Sequence, residues 1–308
     1  MAYLEVECKG CGSSQVVRFG TDRKGVQRFL CKSCGRTFVD NNAPPGMRFP
    51  TEVIASAINQ FYESSSLHKI RRTLHLDFGK ELEHTSILRW VVRYTRVAVK
   101  ELGDIPVKVG SVWVADETVL KLKEEGGRNV WFWDIIDEKT RFLLASHLSV
   151  SRYTRDAQIL MERAERRANR IPKTVITDKL RSYLDAIERT WGADTEHVQS
   201  GPFIKDRNGD STRAIERFHG TLKDRTKVMR ALANRESARL VMEGWLVHYN
   251  FFRPHSGLGG KTPAEAAGVK SAPFKTWADV VVGVRPEPNP VPATRVTLVP
   301  RRSDYAGR

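Results

Sequence analysis

The chain has 308 residues, a formal net charge of +15 at pH 7 and a pI near 9.8. This length accommodates two or three domains, and a hydrophobic fraction of 40% provides for a sizeable core. The positive charge favours a polyanionic partner, of which nucleic acid is the commonest, and the alternative is a soluble protein that is merely basic. No apolar run approaches the ~18 residues of a membrane span, and no secretory signal precedes the first motif. We therefore expect a cytoplasmic, nucleoid-associated protein with no membrane partner.

All four cysteines lie near the N-terminus, in the pairs Cys8 and Cys11, and Cys31 and Cys34. Two thiolate pairs of the form C-x2-C match a tetrahedral zinc site, and each pair is followed by a glycine that permits a tight knuckle. Strand patterns lie between the pairs, so we predict a zinc ribbon over residues 1–40. Two disulfides or free thiols are the alternative, which a cytosolic location disfavours. Four cysteine ligands leave no open position, so the zinc is expected to be structural.

A Pro-rich linker over residues 41–50 precedes three amphipathic helical patterns over residues 51–105. Basic residues on the second and third helices are typical of a helix-turn-helix domain. Arg89, Arg93 and Arg96 share one face of the third helix, and we predict that they contact DNA. An ordinary three-helix packing unit is the alternative.

The pattern changes to strands after this helical region, and residues 106–270 read as βββαβαβα. This order predicts an α/β domain of the ribonuclease-H-like type. The predicted architecture is therefore a ribonuclease-H-like catalytic domain preceded by a zinc ribbon and a three-helix helix-turn-helix domain. Residues 271–308 form a Pro-rich C-terminal tail, in which VTLV is a candidate strand.

Three carboxylates occupy the positions at which such a domain would perform chemistry. Asp116 interrupts the first apolar strand, Asp178 closes a later strand, and Glu216 lies on the following helix. Acids in apolar strands are costly to bury unless a cation pairs with them. Two Mg²⁺ ions about 4 Å apart can activate the attacking oxygen and stabilise the leaving one at a phosphodiester. We predict a two-ion magnesium site in which Asp116 bridges both ions, and Asp178 and Glu216 each complete one.

The helix that carries Glu216 is also rich in cations. Residues three and four apart share a helix face, so Glu216 aligns with His219, Lys223 and Lys227. We predict that these three cationic side chains contact DNA phosphates beside the metal ligand. A neighbouring apolar face is expected to anchor the helix to the sheet: Ile215, Phe218 and Leu222. The alternative is a solvated helix whose glutamate pairs with a lysine.

Two further acids and one further motif remain. Asp134 also lies on a strand but is left outside the triad, and Asp137 is interpreted as the acid of the turn that follows. In FRPHSG, Arg253 and His255 either approach the scissile phosphate or donate to the backbone of the turn.

Over residues 50–270 the chain resembles the sixth family of insertion-sequence transposases, which use an Asp-Asp-Glu triad and are related in fold to retroviral integrases. The resemblance is carried by five stretches, of which the last is the most specific: VWVADETVLKLK, RNVWFWDIID, TVITDKLRSY, AIERFHGTLKDRTKVMR and GWLVHYNFFRPHSGLGGKTPAEAAG. The motifs place the family's triad on Asp116, Asp178 and Glu216.

The resemblance implies Mg²⁺-dependent DNA strand cleavage at element ends and transfer of the freed 3′-hydroxyl to target DNA. It also implies terminal inverted repeats, a homo-oligomer of at least two chains, and replicative transposition through a cointegrate. A zinc ribbon is present in only some subgroups, so its role here is either end recognition or protein–protein assembly. Two other functions stay open: a catalytically idle domesticated DNA-binding regulator, and a structure-directed nuclease of the same fold.

Overall fold

The computed structural model describes residues 6–23, 25–41, 43–122, 129–199, 213–229 and 234–283. The chain divides into two compact units. One contains the N-terminal residues through Phe61, Leu67–Val97 and the segment from Thr276, and the other contains Tyr62–Ser66 and Ala98–Lys275. Among the described helices, none combines the length and apolarity needed to cross a bilayer.

The first unit begins with a small antiparallel sheet in the order β1-β2-β3. Its strands are β1 (Val16–Thr21), β2 (Gln27–Cys31) and β3 (Thr37–Val39). The first two are the strands predicted around the turn between the cysteine pairs. The third strand has only three residues and was not predicted.

Three helices follow, in agreement with the amphipathic patterns: α1 (Thr51–Tyr62), α2 (Leu67–Phe78) and α3 (His84–Leu102). The apolar face of α1 is buried as its spacing requires, and its members are Val53, Ile54, Ala57, Ile58 and Phe61. A short helix, α9 (Trp277–Gly283), lies in the same unit. The predicted strand VTLV falls outside the described residues.

The second unit is built on a five-stranded sheet in the order β6-β5-β4-β7-β8. Its strands are β4 (Val112–Lys121), β5 (Asn129–Asp137), β6 (Leu143–Ser149), β7 (Thr174–Thr177) and β8 (Glu196–Gln199). The first three strands pair antiparallel, whereas β7 runs parallel to both β4 and β8. This is the ribonuclease-H-like arrangement, so the predicted fold class is confirmed.

Helices cover both faces of this sheet. The helices described in this unit are α4 (Thr154–Ala168), α5 (Arg181–Trp191), α6 (Arg213–Met229), α7 (Arg235–Val247) and the short α8 (Pro263–Ala266). Side chains alternate along β4, and Asp116 contacts His219 of α6 whereas Glu117 contacts Tyr183 of α5. Helices α5 and α6 therefore lie on opposite faces. The residues predicted to anchor α6 are all buried: Ile215, Phe218 and Leu222.

A polar bridge secures the edge strand β6. The register between β5 and β6 shifts between Ile135 and Ile136, which marks a bulge near Leu143. The Asn250 side chain lies in a π-helical turn, His248–Phe252, that follows α7. Its Oδ1 accepts from the Leu143 N–H at 2.9 Å and its Nδ2 donates to the Leu143 carbonyl at 2.9 Å. Because the amide is fully buried, it replaces the partner strand that an edge position lacks.

We predict that Asn250→Ala lowers the free energy of unfolding of this unit by about 2 kcal/mol or more, because it leaves a buried N–H and a buried C=O unpaired. Urea unfolding of the full chain measures the loss. Arg239→Ala, which removes an exposed ion pair with Glu243 on the preceding helix, is the control and should change stability by less than about 1 kcal/mol. Equal losses in the two variants would contradict the bridging role.

Candidate active site and zinc site

The parallel pairing of β4 with β7 brings two of the three predicted metal ligands together. Val112, Trp113 and Val114 pair with Thr174, Val175 and Ile176 respectively. Extending this register by two residues places Asp116 alongside Asp178. The two acids are separated by 61 residues in sequence, yet they meet because Asp116, in the middle of β4, lies beside the carboxyl end of β7.

A cluster of three carboxylates results. Asp116, Glu117 and Asp178 each offer one oxygen, and these oxygens all lie within 4.8 Å of one another. Asp116 Oδ1 accepts from the Glu117 N–H at 2.9 Å, and Asp178 Oδ1 accepts from the Leu180 N–H at 2.9 Å. These backbone donors fix the orientation of both carboxylates. Their side chains remain partly exposed, at 20% for Asp116 and 42% for Asp178.

Glu117 was not predicted as a site residue, and its surroundings differ from those of the aspartates. Its side chain is only 2% exposed. Oε2 accepts from the Tyr183 hydroxyl at 2.8 Å, and Oε1 pairs with the Arg152 guanidinium. Burial raises the pKa of this carboxyl, against the opposing effect of Tyr183 and Arg152. Both oxygens accept hydrogen bonds, and the Arg152 guanidinium paired with Glu117 lies 3.9 Å from Asp178 Oδ2.

The third predicted ligand, Glu216, is half-buried on α6 and is not a member of the 4.8 Å cluster. It lies three residues before His219, whose Nδ1 is 3.3 Å from Asp116 Oδ2. Residues three apart on a helix share a face. The structure therefore places Glu216 one turn from a direct contact with Asp116. Lys223 and Lys227 are exposed further along the same helix.

His219 itself is buried rather than presented to solvent. Its Nε2 lies 3.1 Å from Asp134 Oδ2, so the ring sits between two carboxylates and is 5% exposed. Burial lowers the pKa of His219, but hydrogen bonds to Asp116 and Asp134 outweigh it and raise the pKa to about 9. For Asp134 the effect of burial has the opposite sign, because burial disfavours the charged carboxylate, and it raises the pKa of Asp134 to about 6. In this conformation the imidazole faces the acids and does not reach outward to a phosphate.

The remaining predicted residues lie outside the cluster. Asp137 accepts from Thr140 N at 2.8 Å and from Thr140 Oγ1 at 2.6 Å, which is the turn role assigned to it. Arg253 lies 3.7 Å from Glu63, and the His255 ring packs edge-on against Tyr249 at 4.6 Å. In the first unit, the three arginines predicted to contact DNA are all exposed on α3: Arg89, Arg93 and Arg96.

The carboxylate cluster fits magnesium. Oxygen is the donor that Mg²⁺ prefers, and the ion binds through one or two carboxylates together with substrate phosphates. Asp116 and Asp178 are the partly exposed members of the cluster and are the ones positioned to do this. The described residues thus support the magnesium cofactor predicted from the sequence.

The four cysteines fit a zinc ion. The Sγ atoms of Cys8 and Cys34 lie 3.7 Å apart, as do those of Cys11 and Cys31. A disulfide requires about 2.05 Å, whereas a tetrahedron with Zn–S bonds of about 2.3 Å has edges of about 3.8 Å. All four Sγ atoms lie within 4.8 Å of one another. The glycines that end the two knuckles, at positions 12 and 35, both have positive φ, of 73° and 70°.

Comparison with protein families finds a match over the region of each site. Residues 110–255 match the family model described as a DDE domain, and residues 1–35 match that of the InsA N-terminal domain. Over these segments the resemblance to transposases drawn from the sequence is confirmed. No curated protein matches the chain.

Solved structures similar to this chain include catalytic core domains of retroviral integrases. The HTLV-2 integrase core in complex with magnesium, in its trimeric form, is 14% identical with a TM-score of 0.41, covering 53% of this chain and 99% of its own. Its dimeric form is 15% identical with a TM-score of 0.37, over 51% and 95%. The core domain of BIV integrase is 16% identical with a TM-score of 0.38, over 51% and 93%.

We predict that the full chain binds one zinc ion in the ribbon and that Cys31→Ser abolishes this binding, because three thiolates no longer close the tetrahedron. Metal analysis measures the zinc, and amide NMR signals report the order of the ribbon strands. Ser33→Ala is the control, since Ser33 lies between two cysteines but its hydroxyl bonds to Ser13 and Gln15 rather than to a cysteine. A Cys31→Ser ribbon that stays ordered without zinc would contradict the assignment.

Proposed function

We propose that this protein, whose residues 110–255 match the family model described as a DDE domain, cuts DNA at the ends of a mobile element and joins the freed 3′-hydroxyl to target DNA. A role in DNA transposition accords with the family match. The finer assignment is carried by one observation: Asp116 and Asp178 meet beside the carboxyl end of β7, partly exposed, with their oxygens close enough to share a metal ion.

Each acid has a distinct role in this proposal. Asp116 would be a ligand at both metal positions, while Asp178 and Glu216 would each complete one. Two Mg²⁺ ions, when bound, supply the charge that activates the attacking oxygen and stabilises the leaving oxygen. The chain itself orients Asp116 and Asp178 through backbone N–H groups. Tyr183 donates to Glu117, and Glu117 holds Arg152 beside Asp178, where the guanidinium offsets the local negative charge.

DNA binding is proposed to involve two exposed cationic surfaces, each within its own unit. One is the face of α3 that carries Arg89, Arg93 and Arg96, in a helix-turn-helix domain over residues 51–105. The other is the face of α6 that carries Lys223 and Lys227, which continues from Glu216. Because Lys223 and Lys227 follow Glu216 along one helix, they can bind the phosphates of a DNA strand that reaches the metal site.

The rest of the assembly is proposed on the resemblance. The zinc ribbon over residues 1–40 acts in end recognition or in assembly, and at least two chains cooperate to bring element ends and target DNA together. The catalytic domain occupies residues 106–270, and replicative transposition through a cointegrate is the proposed outcome.

We predict that Asp116→Asn and Glu216→Gln each reduce strand cleavage and joining by at least about 1,000-fold, or about 4 kcal/mol, because each removes a metal ligand. Glu117→Gln should cost tenfold or less, since the amide can still accept from Tyr183. Labelled duplexes taken from the DNA that flanks the gene, incubated with Mg²⁺ and a target plasmid, measure cleavage and joining separately.

Asp194→Asn, an exposed acid beyond α5, is the matched control and should leave both reactions unchanged. End binding should survive in Asp116→Asn. Loss of activity in Glu117→Gln with full activity in Glu216→Gln would overturn the assignment of the third ligand. Cleavage by the unmodified chain without joining would favour a nuclease of the same fold. The absence of both cleavage and joining would favour an idle DNA-binding regulator.

We also predict that replacing Arg89, Arg93 and Arg96 together by Gln flattens the salt dependence of DNA binding. Each lost phosphate contact reduces the slope of log K against log salt concentration by about 0.9, so three contacts reduce it by about 2.7. The control replaces three exposed arginines of the catalytic domain and changes the net charge equally: Arg155, Arg166 and Arg189. Equal slopes for the two triple variants would contradict a DNA-binding role for α3.

A further inference from the structure

Two acids face each other across the centre of the sheet. Asp116 on β4 is paired directly with Asp134 on β5, so both side chains project from the same face. Like charges directly opposite on neighbouring strands destabilise a sheet. Asp134 has no exposed surface, and a buried carboxylate without a partner is costly. This pair therefore requires a cation on that face.

His219 supplies that cation from α6. Its Nδ1 lies 3.3 Å from Asp116 Oδ2 and its Nε2 lies 3.1 Å from Asp134 Oδ2. Both ring nitrogens face carboxylate oxygens, which is the geometry of a doubly protonated ring. The His219 ring thus links Asp134, which is fully buried, to Asp116, which belongs to the carboxylate cluster.

We propose that His219, held by Asp134, is a positioning residue that sets the orientation of the Asp116 carboxylate for metal binding and fixes α6 so that Glu216 stands beside it. This inference rests on the proposed function, because Asp116 and Glu216 are metal ligands only in that function. The partners that orient a metal ligand influence affinity strongly, and their loss typically weakens metal binding about 10- to 100-fold.

Stability alone does not account for this arrangement. Helix α6 is already anchored by the apolar residues Ile215, Phe218 and Leu222, whose exposure is 0–1%. Replacing a buried ionic group by well-packed apolar side chains is often neutral or stabilising. A buried Asp–His–Asp arrangement that ends on a catalytic acid is therefore better explained by the orientation that it imposes on that acid.

The test separates stability from positioning with three variants of the full chain. His219→Leu leaves Asp134 as an unpaired buried acid, so it should lower both the unfolding midpoint and the affinity for Mn²⁺. Adding Asp134→Asn removes that buried charge, so the double variant should recover stability but keep the 10- to 100-fold loss of Mn²⁺ affinity. Electron paramagnetic resonance of unbound Mn²⁺ measures affinity without any turnover, and urea unfolding measures stability.

His147→Leu is the matched control. His147 lies on β6, is 13% exposed, and pairs with the buried Asp156 at 3.3 Å. It should destabilise the chain without changing Mn²⁺ affinity. The inference is overturned if His219→Leu retains the affinity of His147→Leu, or if the double variant recovers affinity along with stability. A wild-type chain that neither binds Mn²⁺ near Asp116 nor cuts DNA would overturn the proposed function itself, and the inference with it.

Discussion

The parallel pairing of β4 with β7 is the constraint on which the site depends. It joins Asp116 to Asp178 across 61 residues of sequence, and its register is fixed by apolar side chains with no exposed surface, among them Trp113 and Val114 on β4 and Ile176 on β7. A slip of one residue would turn every side chain of a strand to the opposite face. Packing of the core therefore sets the position of the acids, and the metal-binding geometry follows from it.

The second organising feature is the distribution of charge over the two faces of β4. Asp116 meets His219 on one face, and Glu117 meets Arg152 and Tyr183 on the other. The partners of the two acids come from different parts of the chain: His219 from α6, Tyr183 from α5, and Arg152 from the loop before α4. Asp178 and the outward part of Asp116 retain exposed oxygen, which is where an external divalent cation is best accommodated.

The sequence was sufficient for features that depend on local spacing. The cysteine pairs, the apolar face of α1, the order of strands and helices, and the turn acid Asp137 are all read from neighbours in the chain. The roles of Glu117, His219 and Asp134 could not be read in this way, because they depend on which helix covers which face of the sheet. The alternation of side chains along β4 predicts that Glu117 and Asp116 project from opposite faces of the sheet. Only the packing of α5 and α6 shows that Glu117 contacts Tyr183 and that Asp116 contacts His219.

The most direct measurement is an anomalous-diffraction map from crystals of the full chain grown with Mn²⁺ and DNA that flanks the gene. The account predicts two manganese peaks about 4 Å apart, with Asp116 bound to both ions and with Asp178 and Glu216 each bound to one. Manganese held by Glu117 with Glu216 turned away, or no manganese within reach of Asp116, would contradict it.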